Sequence, residues 1–352
     1  VFSANFRLYG DISNQVMTNL REFSPRVEQY SIDEMFLDVE RITTDLNAYG
    51  ARIKAQLWRH VRMPVGVGIA PSKTLSKLAN HAAKHIKGNG VAVLDTPEKW
   101  QWLEKRLPVN KVWGIGSRLT ARLNSIGIRS AYDLAQADPK WVRRFSSINV
   151  EKTIEELNGK QCIELEEAPV PKKEIFVTRT FAHKIEQREA LLRHISRYAA
   201  AAAEKLRKQG SYCQSLYLFV NTSRFKGDYY ANSAEIKLPY PTSDSSVIIR
   251  FARLGMNALY KKGYLFNKCG IGLLDLRDRA FYQSDLFLPE QAIRSDDLMK
   301  TLDRINRRYG RDTVTFGAEG LTGRWTMQQN RLSPAYTSAW SDLPRVHCFD
   351  SV

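Results

Sequence analysis

Tyr30-Ser31-Ile32-Asp33-Glu34-Met35-Phe36-Leu37-Asp38-Val39 is the stretch on which the fold turns. Arg26 to Val39 reads as two short strands around a turn at Ser31-Ile32-Asp33-Glu34. In the second strand Met35, Leu37 and Val39 share one face, while Phe36 and Asp38 share the other. Adjacent carboxylates on an extended chain point to opposite faces. At a strand–turn junction both Asp33 and Glu34 can lean toward one edge and share divalent ions. Mg²⁺ is hard and favours carboxylate and phosphate oxygens. Two such ions about 3.5–4 Å apart suit phosphoryl transfer, one activating a hydroxyl and one stabilising a leaving pyrophosphate. An isolated Asp-Glu pair is also what any solvated turn carries, so its surroundings decide.

Those surroundings are α+β. Before the hairpin, Ile12, Val16, Met17, Leu20 and Phe23 recur at helical spacing. After it come a helix at about 44–61, a buried strand at 64–69 and a helix capped by Ser72 with Leu75, Leu78 and Ala82 on its core side. Val91 to Leu94 is another strand. Asp95, Pro97 and Glu98 resemble a helix start with a capping box. Residues 96–165 read as a separate, all-helical domain with short loops, and 166–174, charged and holding two prolines, as an exposed linker. From 175 to 280 the order is strand, helix, strand, strand, helix, strand, the split βαβ pattern. Ala199 to Ala203, Tyr217 and Phe219 read as packing residues, and Gly210 as a helix C-cap. The rest, 281–352, is polar and aromatic with one helix at 295–309.

The chain carries a net charge of +16. Residues 171–280 hold 20 Lys and Arg against 9 Asp and Glu, so +11 of that charge lies in one third of the sequence. A concentrated positive field fits phosphate-backbone binding. No apolar run approaches the roughly 18 residues of a membrane span, which points away from a membrane partner. Cys162, Cys213, Cys269 and Cys348 have no CxxC spacing, which argues against zinc and for a reduced, cytoplasmic setting. His81 and His85, four apart on a helix, read as surface residues without a third ligand.

Val112-Trp113-Gly114-Ile115-Gly116-Ser117 precedes a helix and then Leu123-Asn124-Ser125-Ile126-Gly127-Ile128. Gly114 and Gly116 let backbone approach a phosphate, and N–H groups at Ser117 donate to its oxygens, a grip that reads no bases. An ordinary helix–helix turn has the same outline. Thr178 and Arg179, in the first strand of the basic region, offer further phosphate contacts.

YSIDEMFLDV (30–39) resembles the second acidic motif of the Y-family translesion DNA polymerases, S-[IV]-D-E. VGVGIAPSKTLSKLANHAAKHIKGNG (65–90) resembles the palm segment of that family. LDRINRRYGRDTVTFGAEGL (302–321) and SPAYTSAW (333–340) are similar to the branch holding the catalytic subunits of bacterial DNA polymerase V type and their mobile-element relatives. The resemblance runs essentially end to end. It implies a multidomain α+β fold: a partial palm at 1–95, a helix-hairpin-helix thumb at 96–165, the linker, a split-βαβ little finger at 175–280 and a small C-terminal region at 281–352. It implies error-prone, template-directed nucleotidyl transfer in the SOS response through two Mg²⁺ ions. Asp33 would bridge both ions, and Glu34 would ligate or support the hydroxyl-side ion. Asp38 would be structural, and Lys84 would reach the incoming dNTP. Lys73 and Lys77 read as ordinary helix lysines.

The same resemblance implies a first strand of the type D-x-[ND]-x-F-[FY], with the first catalytic aspartate and a steric gate, followed by a fingers domain. Nothing before Asp33 matches them. Roughly 65–70 residues are therefore expected to precede Val1, and the 352 residues are not expected to polymerise alone. Gln283, Leu286 and Phe287 match the clamp-binding form Q-x-x-L-[FL], a compact peptide anchor. The implied partners are damaged primer–template DNA, dNTP, the sliding clamp, a dimeric processed accessory subunit contacting 300–352, and the recombinase filament. The alternative is a DNA- and clamp-binding protein without catalysis. A helix-hairpin-helix nuclease would need further acids clustered with Asp33, and none is evident.

Overall fold

The computed structural model describes residues 1–86, 88–168, 170–225, 227–281, 294–320 and 329–344. These form two compact units, one holding the described residues up to 168 together with 329–344, the other those from 170 to 320. Among them no helix is long and apolar enough to cross a membrane.

The first unit starts with α1 (Phe6–Leu20), capped by the Asn5 side chain, and buries Met17, Leu20 and Phe23 as their spacing requires. Strands β1 (Val27–Gln29) and β2 (Met35–Leu37) form the expected antiparallel hairpin, with Glu28 opposite Phe36. Met35, Leu37 and Val39 pack on a core made by α1 and α2 (Leu46–Val61). β3 (Val67–Ile69) pairs in parallel with β4 (Val91–Val93), and α3 (Lys73–His85) is the crossover between them. The four short strands form two separate pairs and not one sheet. Gly68 brings α3 against β3: a Cβ there would stand 2.2 Å from Asn80 N and 2.4 Å from the Ser76 carbonyl oxygen.

Helices α4 (Pro97–Glu104), α5 (Ser117–Ser125), α6 (Ala131–Gln136), α7 (Pro139–Arg143) and α8 (Ile148–Leu157) follow. Their core is continuous with that of α3. Leu75, Leu78 and Ala82 share it with Leu103, Leu123, Leu134 and Ile154, so residue 95 marks a change of topology and not a break in packing. Thr96 is the N-cap of α4 and makes no side-chain cap bond, while Asp95 pairs with Lys99, so the expected capping box is not formed. Residues 166–168 and 170–174 are exposed, as expected of the linker, and its start and the residues just before it are tied to the first unit. The Lys73 ammonium donates to the Glu164 carbonyl at 2.6 Å, the Glu166 N–H to Glu28 at 2.8 Å, and Arg26 pairs with Glu167 at 2.8 Å.

Glu104 is 1% exposed, and its Oε1 has no hydrogen-bond partner. Burial pushes its carboxyl up to about 8 from 4.5. The folded form therefore keeps a proton that the unfolded chain has lost, and stability falls as pH rises through that interval. Glu104→Gln is expected to remove this slope. Its melting temperature should gain on the wild type between roughly pH 5 and pH 9, by the equivalent of about 4 kcal/mol; parallel pH profiles would show the carboxyl ionised.

The second unit runs β5 (Ile175–Ile185), α9 (Arg188–Gln209), β6 (Ser211–Thr222), β7 (Ala231–Thr242), α10 (Ser245–Leu259), β8 (Phe266–Leu274) and a short β9 (Arg277–Asp278) beside the start of β6. The sheet order is β5-β8-β6-β7 with every neighbour antiparallel. Thus β8 lies between the two strands that α9 connects, and β6 between the two that α10 connects. Gly210 closes α9 at φ 78°, and Ala199, Ala202 and Ala203 are fully buried. Both were expected. α11 (Ser295–Tyr309) belongs to this unit: Arg207 meets Asp303 through two bonds of 2.7 Å, and Met299 is buried. Residues 329–344 instead pack on the first unit, where the Ser3 N–H donates to Arg331 at 2.7 Å and Asn5 to the Ser333 carbonyl at 2.8 Å. The expected C-terminal region is therefore divided between the two units, because its two halves find different surfaces to bury.

Candidate active site

The hairpin turn is tied from several sides. The Tyr30 and Ser31 N–H groups both donate to the Glu34 carbonyl at 3.1 Å, and the Ser13 hydroxyl on α1 donates to the Ile32 carbonyl. This closure presents Asp33 at the exposed tip and leaves Glu34 half-buried. The two carboxylates have different partners. Asp33 accepts from the Ser31 hydroxyl at 2.5 Å. Glu34 reaches α3, where Lys77 donates to Oε1 at 2.8 Å and to Oε2 at 2.7 Å. Asp38 is a structural acid, as expected: it pairs with Arg26 at 2.9 Å and accepts from the Glu40 N–H at 3.0 Å.

Two adjacent carboxylates at a hairpin tip are a donor set suited to Mg²⁺. Among the described residues no group of three or more His, Cys, Asp and Glu could hold a metal. The His81 and His85 rings lie 4.5 Å apart, tilted by 48°, and among the described residues no third ligand joins them.

The lysines of α3 separate into three environments. Lys73, read from sequence as an ordinary helix lysine, is 8% exposed and forms a buried ion pair with Glu28. Lys77, read the same way, holds Glu34. Lys84 is exposed in the last turn, two turns beyond Lys77 on the same face, and its stem crosses Gly66, where a Cβ would lie 2.9 Å from Lys84 Cγ. The seven-residue spacing from Lys77 to Lys84 was the available signal that Lys77 shares the face of the residue singled out.

An aromatic cluster joins the hairpin to the Gly114–Gly116 turn. Trp113 donates through Nε1 to the Tyr30 hydroxyl at 3.1 Å, and Tyr30, Phe36 and Trp113 lie 5.5–6.0 Å apart by ring centroids. Lys73 and Lys77 cap the Phe36 and Tyr30 rings at 5.1 and 5.3 Å, cation–π contacts that favour this arrangement. Gly114 has φ 85°, and Gly116 is the N-cap of α5 without a side-chain bond. Gly114, Gly116 and Ser117 are all exposed, so the first N–H groups of α5 face solvent. The element before this turn is a single 3-10 turn, Val109–Lys111, and not a full helix.

In the second unit the sheet has an open face opposite its helices. Leu216, Leu218 and Val220 of β6 are fully buried, whereas Tyr217 and Phe219 alternate onto the open face. The expectation that Tyr217 and Phe219 lie in the core is corrected by the strand period. They sit with Phe176, over Gly270 and Gly272, where a Cβ would meet Phe219 at 2.6 Å and Phe176 at 2.4 Å. Lys268 stands over Phe219 at 5.6 Å. Thr178 pairs with Gly270 on this face, but Arg179 pairs with Cys269 and alternates to the helix side, so the two predicted contacts are not brought together. Gln283, Leu286 and Phe287 lie outside the described residues.

The impB/mucB/samB family matches over residues 1–81 and its C-terminal domain over 172–286; DUF4113, a domain of unknown function, matches over 296–346. Protein UmuC of Salmonella typhimurium (strain LT2) is 40% identical over 353 residues, 98% of this chain and 83% of that protein. The chain belongs to the impB/mucB/samB family of Y-family DNA polymerases. DNA polymerase IV 1 of Bacillus subtilis (strain 168) is 25% identical over 90% of this chain and 76% of its own length. A solved Y-family DNA polymerase chimera, Dbh-Dpo4(243-245)-Dbh, shares the fold at a TM-score of 0.61 and 21% identity, over 77% of this chain and 76% of that one. In this impB/mucB/samB chain the acidic hairpin, α3 and the Gly114–Gly116 turn fall in one unit, and the basic sheet in the other.

Proposed function

We propose that this chain is part of a polymerase that performs error-prone translesion DNA synthesis in the response to DNA damage, with Asp33 and Glu34 as ligands of the catalytic Mg²⁺ ions. The observation that carries the reading is the acidic hairpin itself: a tied turn that exposes Asp33 and sets Glu34 against a cationic helix. Bound Mg²⁺ would polarise the transferred phosphoryl group and lower the pKa of the attacking hydroxyl. Lys84 would meet the triphosphate. Gly114, Gly116 and Ser117 would hold the duplex backbone through N–H groups. Thr178 and the open sheet face would add a second backbone contact, with Arg179 as a peripheral cation. Gln283, Leu286 and Phe287 are proposed to bind the sliding clamp, and the tail a dimeric accessory subunit, with the recombinase filament as a further partner. A bacterial cytoplasmic site follows from the same reading.

The natural gene product is expected to extend a primer across a template lesion in Mg²⁺. Asp33→Asn should cut extension at least about a hundredfold, since a lost metal ligand removes several kcal/mol of transition-state stabilisation. Salt-dependent primer–template binding should stay within about twofold, because it rests on the basic surfaces. Extension indifferent to Asp33→Asn would remove the hairpin from the chemistry. One observation favours a second reading, binding without synthesis: no third carboxylate joins Asp33 and Glu34 among the described residues. On that reading the 352 residues bind primer–template and do not extend it.

A further inference from the structure

Lys77 faces a conflict that the proposed chemistry must resolve. Its ammonium donates to both oxygens of Glu34, at 2.8 and 2.7 Å, with the two side chains 24% and 28% exposed. Two bonds from one ammonium take up about half of a carboxylate's lone-pair directions, one on each oxygen, and so compete with a cation for both. Moreover, a fixed positive charge within a few ångströms repels an incoming divalent ion. The pair is not a loose surface contact. Gly68 seats α3 directly on β3, and Ser72 caps the helix start at 3.2 Å while donating to the Glu156 carbonyl at 2.8 Å. On the other side the Glu34 carbonyl closes the hairpin turn. Both partners are therefore presented by rigid elements, and the Tyr30 ring, 5.3 Å from the ammonium, steadies its position.

We propose that Lys77 is a counter-ion switch for Glu34, a positioning residue that makes loading of the carboxylate pair with a divalent ion depend on an incoming polyphosphate. The proposal rests on the reading of Asp33 and Glu34 as metal ligands. Lys77 neutralises Glu34 and keeps its oxygens oriented. The negative charge of a nucleoside triphosphate offsets the repulsion between ammonium and metal and draws the ammonium away. Glu34 is then released to the metal, and Lys77 faces the same phosphates as Lys84, which stands two turns further along the helix. Metal and nucleotide thus bind with positive coupling, and the coupling passes through one side chain.

Mn²⁺ binding to the full chain, read by the loss of the free-ion electron paramagnetic signal, tests this without recourse to activity. Lys77→Met keeps the length of the side chain and removes its charge. It is expected to tighten Mn²⁺ binding about fivefold or more, as the local positive charge disappears. Lys77→Arg keeps the charge and should stay within about twofold of the wild type. A non-hydrolysable deoxynucleoside triphosphate, corrected for its own chelation, should tighten Mn²⁺ strongly in the wild type and much less in Lys77→Met. Equal or weaker Mn²⁺ binding by Lys77→Met overturns the proposal, as does equal tightening by nucleotide in both proteins. Asp33→Asn separates the two levels of failure. If Mn²⁺ binding ignores Asp33→Asn, the metal-ligand reading fails and takes the switch with it. Binding that responds to Asp33→Asn and ignores Lys77→Met sinks the switch alone.

Discussion

Glu156→Ala is expected to destabilise the first unit by about 4 kcal/mol, a fall of roughly 8–16 °C in melting temperature. Glu156 lies at 0% exposure at the end of α8, yet its carboxylate is well provided for. Oε2 accepts from the Thr74 N–H at 2.9 Å and its hydroxyl at 2.7 Å. Oε1 accepts from the Cys162 N–H at 3.2 Å and the Ile163 N–H at 2.9 Å. One side chain thus satisfies an unpaired N–H in the first turn of α3 and two backbone donors just beyond α8. Removing it leaves the buried Thr74 donors and the partly buried Cys162 and Ile163 N–H groups without this acceptor, at a cost of about 1–3 kcal/mol for a buried one and less for the others, and opens a cavity besides. Glu156→Gln retains acceptor character on one oxygen and turns an amide on the other donors, so it should fall between. Amide hydrogen exchange provides the specific check: Thr74, Cys162 and Ile163 should lose protection first. Undisturbed exchange at those three positions in Glu156→Ala would show that the carboxylate does not hold them.

Gly68→Ala should cost about 3 kcal/mol or more and lower the melting temperature of the same unit by roughly 6–12 °C. The reason is space. The added methyl would stand 2.2 Å from Asn80 N, 2.4 Å from the Ser76 oxygen and 2.8 Å from the Ala79 carbonyl carbon. All three are backbone atoms of a helix, so no rotamer change relieves them and α3 itself must shift. Because α3 carries Lys77, the shift should also break the Lys77–Glu34 pair and alter Mn²⁺ binding. Gly10→Ala is the control. Nothing lies within 4 Å of a Cβ there, in the middle of α1, and the change should be neutral or stabilise by up to about 1 kcal/mol through helix propensity. A Gly68→Ala protein that melts with the wild type would mean that α3 and β3 do not pack so closely.

Much of the candidate site was legible because its signals are local. The hairpin follows from period-two alternation around Ser31–Glu34, and Ser72 caps α3 as its residue type and position required. Asp38 ends its strand in a structural ion pair, as the family resemblance implied. What failed depends on which of two faces is covered. Tyr217 and Phe219 have the composition of core residues, and strand period alone cannot say which sheet face receives the helices. The same alternation separates Thr178 from Arg179, although they are neighbours in sequence. Lys73 and Lys77 read as surface lysines because their acid partners lie 45 and 43 residues away.

The sequence by itself determined the acidic pair, the element order, the basic character of the second unit and the glycine turns. These are properties of residue type and short-range spacing, which backbone stereochemistry converts directly into strands, caps and turns. Only the tertiary structure decided the rest. It placed Lys77 on Glu34, packed Trp113 on the acidic hairpin, joined the core of α3 to the helices after residue 95 and sent the two halves of the tail to different units. Each of these is a meeting of distant segments. Such meetings are settled by close packing and by the requirement that buried polar groups find partners, and neither can be read along the chain.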